Sequence, residues 1–110
     1  MESTYGDFLR LEIRVGRITA AQAFPEARTP AIKLSIDFGA QGVKSSSAQI
    51  TERYDPRALV GTLVAAVTNF PPKRIAGFVS EVLVLGAVPE RGGVVLLRPD
   101  RDVEPGTRVL

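Results

Sequence analysis

Two adjacent prolines, Pro71 and Pro72, directly follow a nearly continuous apolar stretch, residues 62–70. Because proline has no amide hydrogen and its ring fixes φ, a strand over this stretch must leave its sheet at the prolines. A basic pair, Lys73 and Arg74, comes next, before the chain returns to a second apolar stretch. The sequence therefore predicts a stiff turn that presents two cations between two strands.

Residues 31–38 alternate strictly between apolar and polar side chains, which is the period of a half-buried β-strand. The side chains predicted to face the core are Ile32, Leu34, Ile36 and Phe38. A turn over residues 39–42 leads to a third strand over residues 43–49, in which serines and a lysine outnumber apolar residues. We expect so polar a strand at an edge of the sheet or on a binding face.

The first strand begins at Leu11, and its apolar phase shifts at Gly16. A glycine at a phase change predicts a bulge or a sharp bend. Such a bend lets one long strand serve both halves of a small barrel. The strand is predicted to end at Phe24 and Pro25.

A short helix is predicted after the third strand, because the residues that begin and end a helix are in place. Asp55 can cap the first free amides, Pro56 suits the first helical position, and Gly61 can end the helix in a left-handed conformation. A helix at this connection, together with a long bent first strand, is typical of the five-stranded OB barrel.

The remaining segments complete an all-β chain. A turn of helix is expected over residues 7–11, a hairpin between residues 78–85 and 94–97, and a last strand over residues 107–110. These features predict one domain that spans residues 1–110. Its fold is predicted to be a five-stranded OB-fold barrel with a short helix between strands 3 and 4 and short N- and C-terminal extensions.

The composition argues against an enzyme, because the chain has neither cysteine nor histidine. Thiolate nucleophiles and thiolate metal sites are thereby excluded, as is the side chain that most often transfers protons near neutral pH. The carboxylates are scattered over turns and single strand positions. We therefore predict no catalytic residue, no metal site and no cofactor.

The sequence also predicts where the chain works. Its first residues lack the basic start and the apolar stretch of a signal peptide. No apolar run approaches the roughly 18 residues that a membrane-spanning helix needs. We expect a cytoplasmic protein with no membrane insertion.

Several stretches of the chain form a recognisable pattern. They are NFPPKRIAGF at residues 69–78, SEVLVLG at 80–86, FPEAR at 24–28, PAIKL at 30–34, IDFG at 36–39 and SSAQI at 46–50. This pattern resembles the tRNA-binding domains attached to some aminoacyl-tRNA synthetases. More closely, it resembles the CsaA family of bacterial export-related chaperones, and the resemblance spans nearly the whole chain.

The resemblance implies tRNA binding, and the residue types suit it. Amide, hydroxyl and cationic side chains on a stiff turn can contact phosphate or base edges with little loss of entropy. The predicted RNA contacts are Lys73, Arg74, Asn69, Ser46, Ser47, Ser80, Lys33 and Arg14. Two alternatives remain open: Asn69 caps the end of its own strand, and the two serines of residues 46–47 form a solvated edge.

The turn also carries more apolar surface than an exposed loop usually has. Its apolar residues are Phe70, Pro71, Pro72, Ile75, Phe78 and Val79. This surface is predicted to be either the seam of a homodimer or a groove for polypeptides. The resemblance implies both a homodimer and the binding of unfolded or precursor polypeptides, with export machinery as a further partner.

Two functions follow as alternatives. The chain is either a CsaA-like protein-export chaperone with a tRNA-binding OB domain, or a structure-specific tRNA-binding factor with no chaperone role. Two features differ from the pattern of the synthetase-linked domains. They are the apolar run of residues 70–72 and Glu81, an acid expected near the RNA face.

Overall fold

Five antiparallel strands curl around one core in the computed structural model, which describes all residues from 1 to 110. Its strands are β1 Ile13–Phe24, β2 Ala31–Asp37, β3 Val43–Ala48, β4 Leu63–Val67 and β7 Leu83–Val84. Their order in the sheet is β3-β2-β1-β4-β7. The shorter elements are α1 Tyr5–Leu9, a 3-10 turn Gly39–Gln41, α2 Pro56–Leu59, β5 Lys73–Ile75, β6 Phe78–Ser80, β8 Gly86–Ala87 and β9 Val95–Leu96.

The two ends of the curled sheet meet at β3. The Ser45 carbonyl accepts hydrogen bonds from the amides of Glu81, at 2.8 Å, and Val82, at 3.3 Å. The Ser46 hydroxyl donates to the Val82 carbonyl at 2.9 Å. The segment before β7 thus joins β3 to β4, which gives the closed strand order of an OB barrel and confirms the predicted fold class.

The first strand serves both halves of the barrel, as predicted. Its first half, up to Arg17, pairs with β4, and from Arg17 to Phe24 it pairs with β2. The irregularity lies between Ile18 and Ala20, so the bulge predicted at Gly16 is wrong by a few residues. Gly16 is needed for another reason. A β-carbon there would lie 2.5 Å from Ile36 Cγ2 and 2.7 Å from Phe38 Cε1.

The core lies where the alternation predicts it. Ile32, Leu34, Ile36 and Phe38 are all fully buried. The helix α2 closes one end of the core with Leu59, and it is capped as predicted. The Asp55 side chain accepts the Arg57 amide at 2.9 Å, Pro56 is the first helical residue, and Gly61 has φ 92°.

Three predicted elements have different bounds. The strand predicted over residues 78–85 is broken at Glu81 and Val82, where the chain turns onto β3. The hairpin predicted between residues 78–85 and 94–97 is instead a short pair, in which β8 lies beside β9. The first helix begins at Tyr5 and ends at Leu9, two residues earlier than the pattern of residues 7–11 indicates.

The C-terminal extension pairs with the start of β1, along the stretch of its edge that β2 does not cover. The Val15 amide donates to the Thr107 carbonyl, and the Val109 amide donates to the Ile13 carbonyl, both at 2.8 Å. This segment is the last strand predicted from the sequence, reduced to an isolated bridge at Arg108. Neither α1 nor α2 has the length and apolar content of a membrane-spanning helix.

Because Gly16 has no room for a side chain, we predict that Gly16→Ala lowers the free energy of unfolding by about 1 to 3 kcal/mol. The measurement is the midpoint of urea unfolding, with the slope of the transition unchanged. Gly6→Ala is the matched control, because a β-carbon at Gly6 would meet only Thr4 Oγ1, at 3.5 Å. Equal midpoints for the two variants would contradict this account of the core.

Candidate nucleic-acid interface

The basic pair lies on a small hairpin that stands out from the barrel. Lys73 pairs with Ser80 and Arg74 with Val79, so the segment predicted as a turn is the first strand of this hairpin, β5. The true turn has two residues, Ala76 and Gly77, with φ 47° and 82°. Left-handed conformations at both positions match the type I′ turn that tight hairpins favour. The hairpin therefore holds the two cations in strand geometry.

An aromatic pair fixes the hairpin to the barrel. The rings of Phe24, at the end of β1, and Phe78, on β6, meet edge to face with centroids 5.5 Å apart. The Lys33 ammonium lies over both rings, 4.5 Å from the first centroid and 5.2 Å from the second. Lys33 thus contributes a cation–π contact to the base of the hairpin, and Phe78 is packed rather than freely exposed.

A cleft of about 550 Å³ separates this hairpin from the loop between β1 and β2. Its charged lining consists of three cations, Arg28, Lys73 and Arg74, and one acid, Glu26. None of the three cations forms an ion pair with an acid of the chain. The cleft therefore presents an excess of positive charge that the protein itself does not neutralise.

Two polar residues of the third strand region contribute to this cleft. Ser47 and Gln49 line it beside the cations. The Ser47 amide donates to the Ser80 hydroxyl at 3.0 Å, which ties the hairpin to β3. The polar character of residues 43–49 thus has two causes: Ser47 and Gln49 line the cleft, and Ser45 and Ser46 bond to the segment that closes the barrel.

Ser46 belongs to that seam. Only 1% of its surface is exposed, and its hydroxyl donates to the Val82 carbonyl. The strand lies at an end of the sheet, as expected, but Ser46 itself is buried, because a hydrogen bond satisfies its hydroxyl inside the barrel. With its hydroxyl inside the protein, Ser46 is not available to RNA, and we leave it out of the interface.

Asn69 lies away from the cleft and connects two segments of backbone. Its Oδ1 accepts the Glu12 amide, and its Nδ2 donates to the Arg10 carbonyl, both at 2.8 Å. It therefore caps neighbouring chain rather than its own strand end, which was the alternative left open. We also leave Asn69 out of the interface.

Arg14 is likewise engaged inside the protein. Its guanidinium donates to Glu12 Oε1 and to the Gly106 carbonyl, both at 2.8 Å. The hydrogen bond from Arg14 lowers the pKa of Glu12. A carboxyl with a lowered pKa stabilises the fold at neutral pH, and this contribution is lost as the pH falls through its folded pKa. We assign Arg14 to the barrel rather than to the interface.

Glu81, the acid expected near the RNA face, does not line the basic cleft. Its carboxylate accepts hydrogen bonds from the Ser45 amide, at 3.1 Å, and from the Ser45 hydroxyl, at 3.0 Å. It is part of the seam that joins β3 to the segment before β7. This acid therefore offers no objection to an anion in the cleft.

A second concavity, of about 430 Å³, lies on the other side of the same hairpin strand. We call it the apolar groove, and its apolar lining includes Phe70, Pro71, Ile75, Leu83, Val84 and Val88. Three of these side chains are well exposed, at 43% for Phe70, 49% for Leu83 and 82% for Val88. Two other residues of the predicted apolar surface, Pro72 and Val79, are exposed outside the groove.

Sequence reasoning missed four residues of the two concavities. Arg28 and Gln49 complete the basic cleft, and Leu83 and Val88 complete the apolar groove. One signal was available for Arg28. In OB barrels the loop after strand 1 and the loop after strand 4 lie on the same side, so a cation in the first loop faces the basic pair in the second.

Comparison with known proteins agrees with this geometry. Residues 13–108 match the family model described as "Putative tRNA binding domain". The chain belongs to this family of tRNA-binding domains. The resemblance to the CsaA branch of the family, read from the sequence, is also confirmed by the solved structures.

Two of those structures are similar over the full chain. The crystal structure of the chaperone CsaA from Bacillus anthracis str. Ames is 56% identical with a TM-score of 0.95, and covers 100% of both chains. CsaA from Picrophilus torridus is 51% identical with a TM-score of 0.93, and covers 99% of this chain and 100% of that one.

A curated relative of a different size is methionine–tRNA ligase from Methanococcoides burtonii. It is 34% identical over 94% of this chain, but the match covers only 15% of the ligase. The chain thus spans about one seventh of the length of this relative. The similarity concerns the tRNA-binding domain alone.

Proposed function

We propose that the chain is a non-enzymatic binding protein whose basic cleft binds the phosphate backbone of tRNA. The observation that carries this proposal is the set of three unpaired cations, Arg28, Lys73 and Arg74, which converge on one cleft of a tRNA-binding domain. Arginine and lysine on a fixed hairpin suit phosphate, and Arg binds it in a bidentate manner. Because tRNA acts in the cytoplasm, we place the protein there.

The cleft favours recognition of backbone and shape over base sequence. Its lining contains no aromatic side chain on which a base can stack, because Phe24 and Phe78 are packed against each other below it. Ser47 lies beside the cations and can donate its hydroxyl to a phosphate or a ribose. Ser80, which was also predicted to contact RNA, lines the apolar groove instead. Affinity is then mainly electrostatic and falls as salt rises.

For the tRNA site, we predict that Lys73→Ala combined with Arg74→Ala weakens tRNA binding at least about tenfold at moderate salt. The slope of log affinity against log salt should also become shallower by roughly 1.4 to 1.8, since two phosphate contacts are lost. Fluorescence anisotropy with labelled tRNA measures both quantities.

The matched control is Arg98→Ala combined with Arg101→Ala. It removes the same charge from residues that lie outside the basic cleft. We expect its affinity to change far less than that of the hairpin variant. Equal losses in both double variants would mean that net charge, and not the hairpin, binds the RNA.

A second function is favoured by the apolar groove. We propose that the groove binds extended apolar segments of unfolded or precursor polypeptides, with export machinery as a further partner of the complex. The exposed side chains of Phe70, Leu83 and Val88 support this, because isolated proteins seldom leave neighbouring large apolar groups open. The two similar structures described as the chaperone CsaA also support it.

For the polypeptide site, we predict that Phe70→Ala combined with Leu83→Ala raises about tenfold the concentration needed to suppress aggregation of an unfolded client. Suppression by the unchanged protein should persist at high salt, since hydrophobic contacts are not screened. Light scattering of a denatured client diluted into buffer gives the readout. Val43→Ala with Val60→Ala is the control, because both residues are exposed outside the groove.

If the unchanged protein suppresses no aggregation while it binds tRNA, the alternative function stands. The chain is then a structure-specific tRNA-binding factor with no chaperone role.

We further propose that the protein is a homodimer with a contact through α1. This helix has five residues and buries none of them, although its Thr4 and Asp7 form a complete capping box. Tyr5 and Phe8 stack on each other, and Leu9 is exposed beside them. So short a helix is marginal by itself, and a second copy of the same surface would cover its apolar residues.

For the dimer, we predict that Leu9→Asp produces a monomer at micromolar concentration, because it buries a charge in the contact. Sedimentation equilibrium measures the mass. Val43→Asp, at an exposed apolar residue elsewhere, should leave the dimer intact. A dimer that survives Leu9→Asp but dissociates on Phe70→Ala with Leu83→Ala would identify the apolar groove as the seam.

A further inference from the structure

The basic cleft and the apolar groove share part of their walls. Four residues line both concavities: Ser47, Gln49, Lys73 and Ile75. The first two form a common floor at the end of β3, and the other two form a common wall on β5. The two concavities are therefore neighbours that meet along one strand of three residues.

We propose that tRNA and an apolar polypeptide exclude each other from this surface. The inference rests on the proposed function, since it takes RNA as the ligand of the cleft and polypeptide as the ligand of the groove. It adds that one copy of the chain cannot hold both ligands at once. RNA binding would thus release a polypeptide, and a polypeptide would release RNA.

The first argument comes from the shared side chains. Lys73 is exposed, and its single ammonium can point at a phosphate in the cleft or lie with its stem along the groove, but not both. Ile75 alternates with Arg74 along β5, so it lies on the same face of the strand as Lys73. A polypeptide that packs on Ile75 covers the stem of Lys73 and withdraws this cation from RNA.

The second argument is steric. A strand of three residues is only about 10 Å long, and the strands of a hairpin lie about 5 Å apart. A folded RNA that contacts Arg28 and Arg74 is much wider than this wall, so it overhangs the groove on the far side. An extended polypeptide on Phe70, Ile75 and Leu83 would occupy the space into which the RNA extends.

The test is a competition with an uncharged apolar peptide that has blocked termini. Such a peptide has no anionic group with which to compete for the cations. Displacement of RNA by this peptide therefore indicates that the two ligands occupy the same space. We first measure the affinity of the protein for labelled tRNA alone and for the peptide alone. The tRNA titration is then repeated at a series of fixed peptide concentrations and constant salt.

We expect the apparent Kd for tRNA to rise in proportion to the peptide, by about tenfold when free peptide is at roughly ten times its own Kd. The effect should be reciprocal, with tRNA raising the Kd of the peptide. A Kd for tRNA that stays within about twofold under saturating peptide would demonstrate a ternary complex and overturn the inference. The proposed function would survive that result, because each ligand would still bind alone.

Failure of either ligand to bind alone overturns the proposed function for that ligand, and the inference with it.

Two variants locate the competition. Leu83 lines only the groove, so Leu83→Ser should raise the peptide concentration needed to displace tRNA by the same factor by which it weakens the peptide. Arg28 lines only the cleft, so Arg28→Ala should weaken tRNA and leave the affinity of the peptide unchanged. If Leu83→Ser leaves the peptide concentration needed to displace tRNA unchanged, the peptide acts at another site, which would contradict the inference.

Discussion

The seam between β3 and the residues before β7 is the constraint on which the rest of the molecule depends. One backbone carbonyl, that of Ser45, accepts two amides from the opposite end of the sheet, and the hydroxyl of Ser46 donates to the Val82 carbonyl. These bonds convert an open sheet with two free edges into a closed barrel. They also fix the base of the β5–β6 hairpin, so the position of the cations follows from the closure of the barrel.

Much of the fold was predictable, because the local rules are strong in this sequence. The alternation of residues 31–38 has one consistent solution, and the helix at Pro56 has its cap, its proline and its terminal glycine in order. The position of the basic pair outside the preceding strand was also predictable, because the two prolines before the pair must end that strand. The alternation of apolar residues and the capping and turn residues predict local structure only. The local elements were therefore found with errors of a few residues.

The remainder depended on contacts between distant residues, which no local pattern reveals. Ser46 and Asn69 read as exposed polar residues, yet each bonds to a segment more than 30 positions away in the chain. Lys33 read as a cation for RNA, yet it lies over two aromatic rings whose meeting requires the hairpin to fold back on β1. The cleft itself needs Arg28, on the loop after β1, and Arg74, on β5, which only the closed barrel brings together.

Asn69 has a consequence that reaches beyond the barrel. Its amide group joins the residue that precedes Phe70, at the edge of the groove, to the backbone on either side of Leu11, just after the first helix. A movement of the loop that follows β4 is therefore transmitted to the N-terminal extension through these hydrogen bonds. If two subunits meet through that extension, as proposed above, these two hydrogen bonds connect the edge of the groove to the dimer contact.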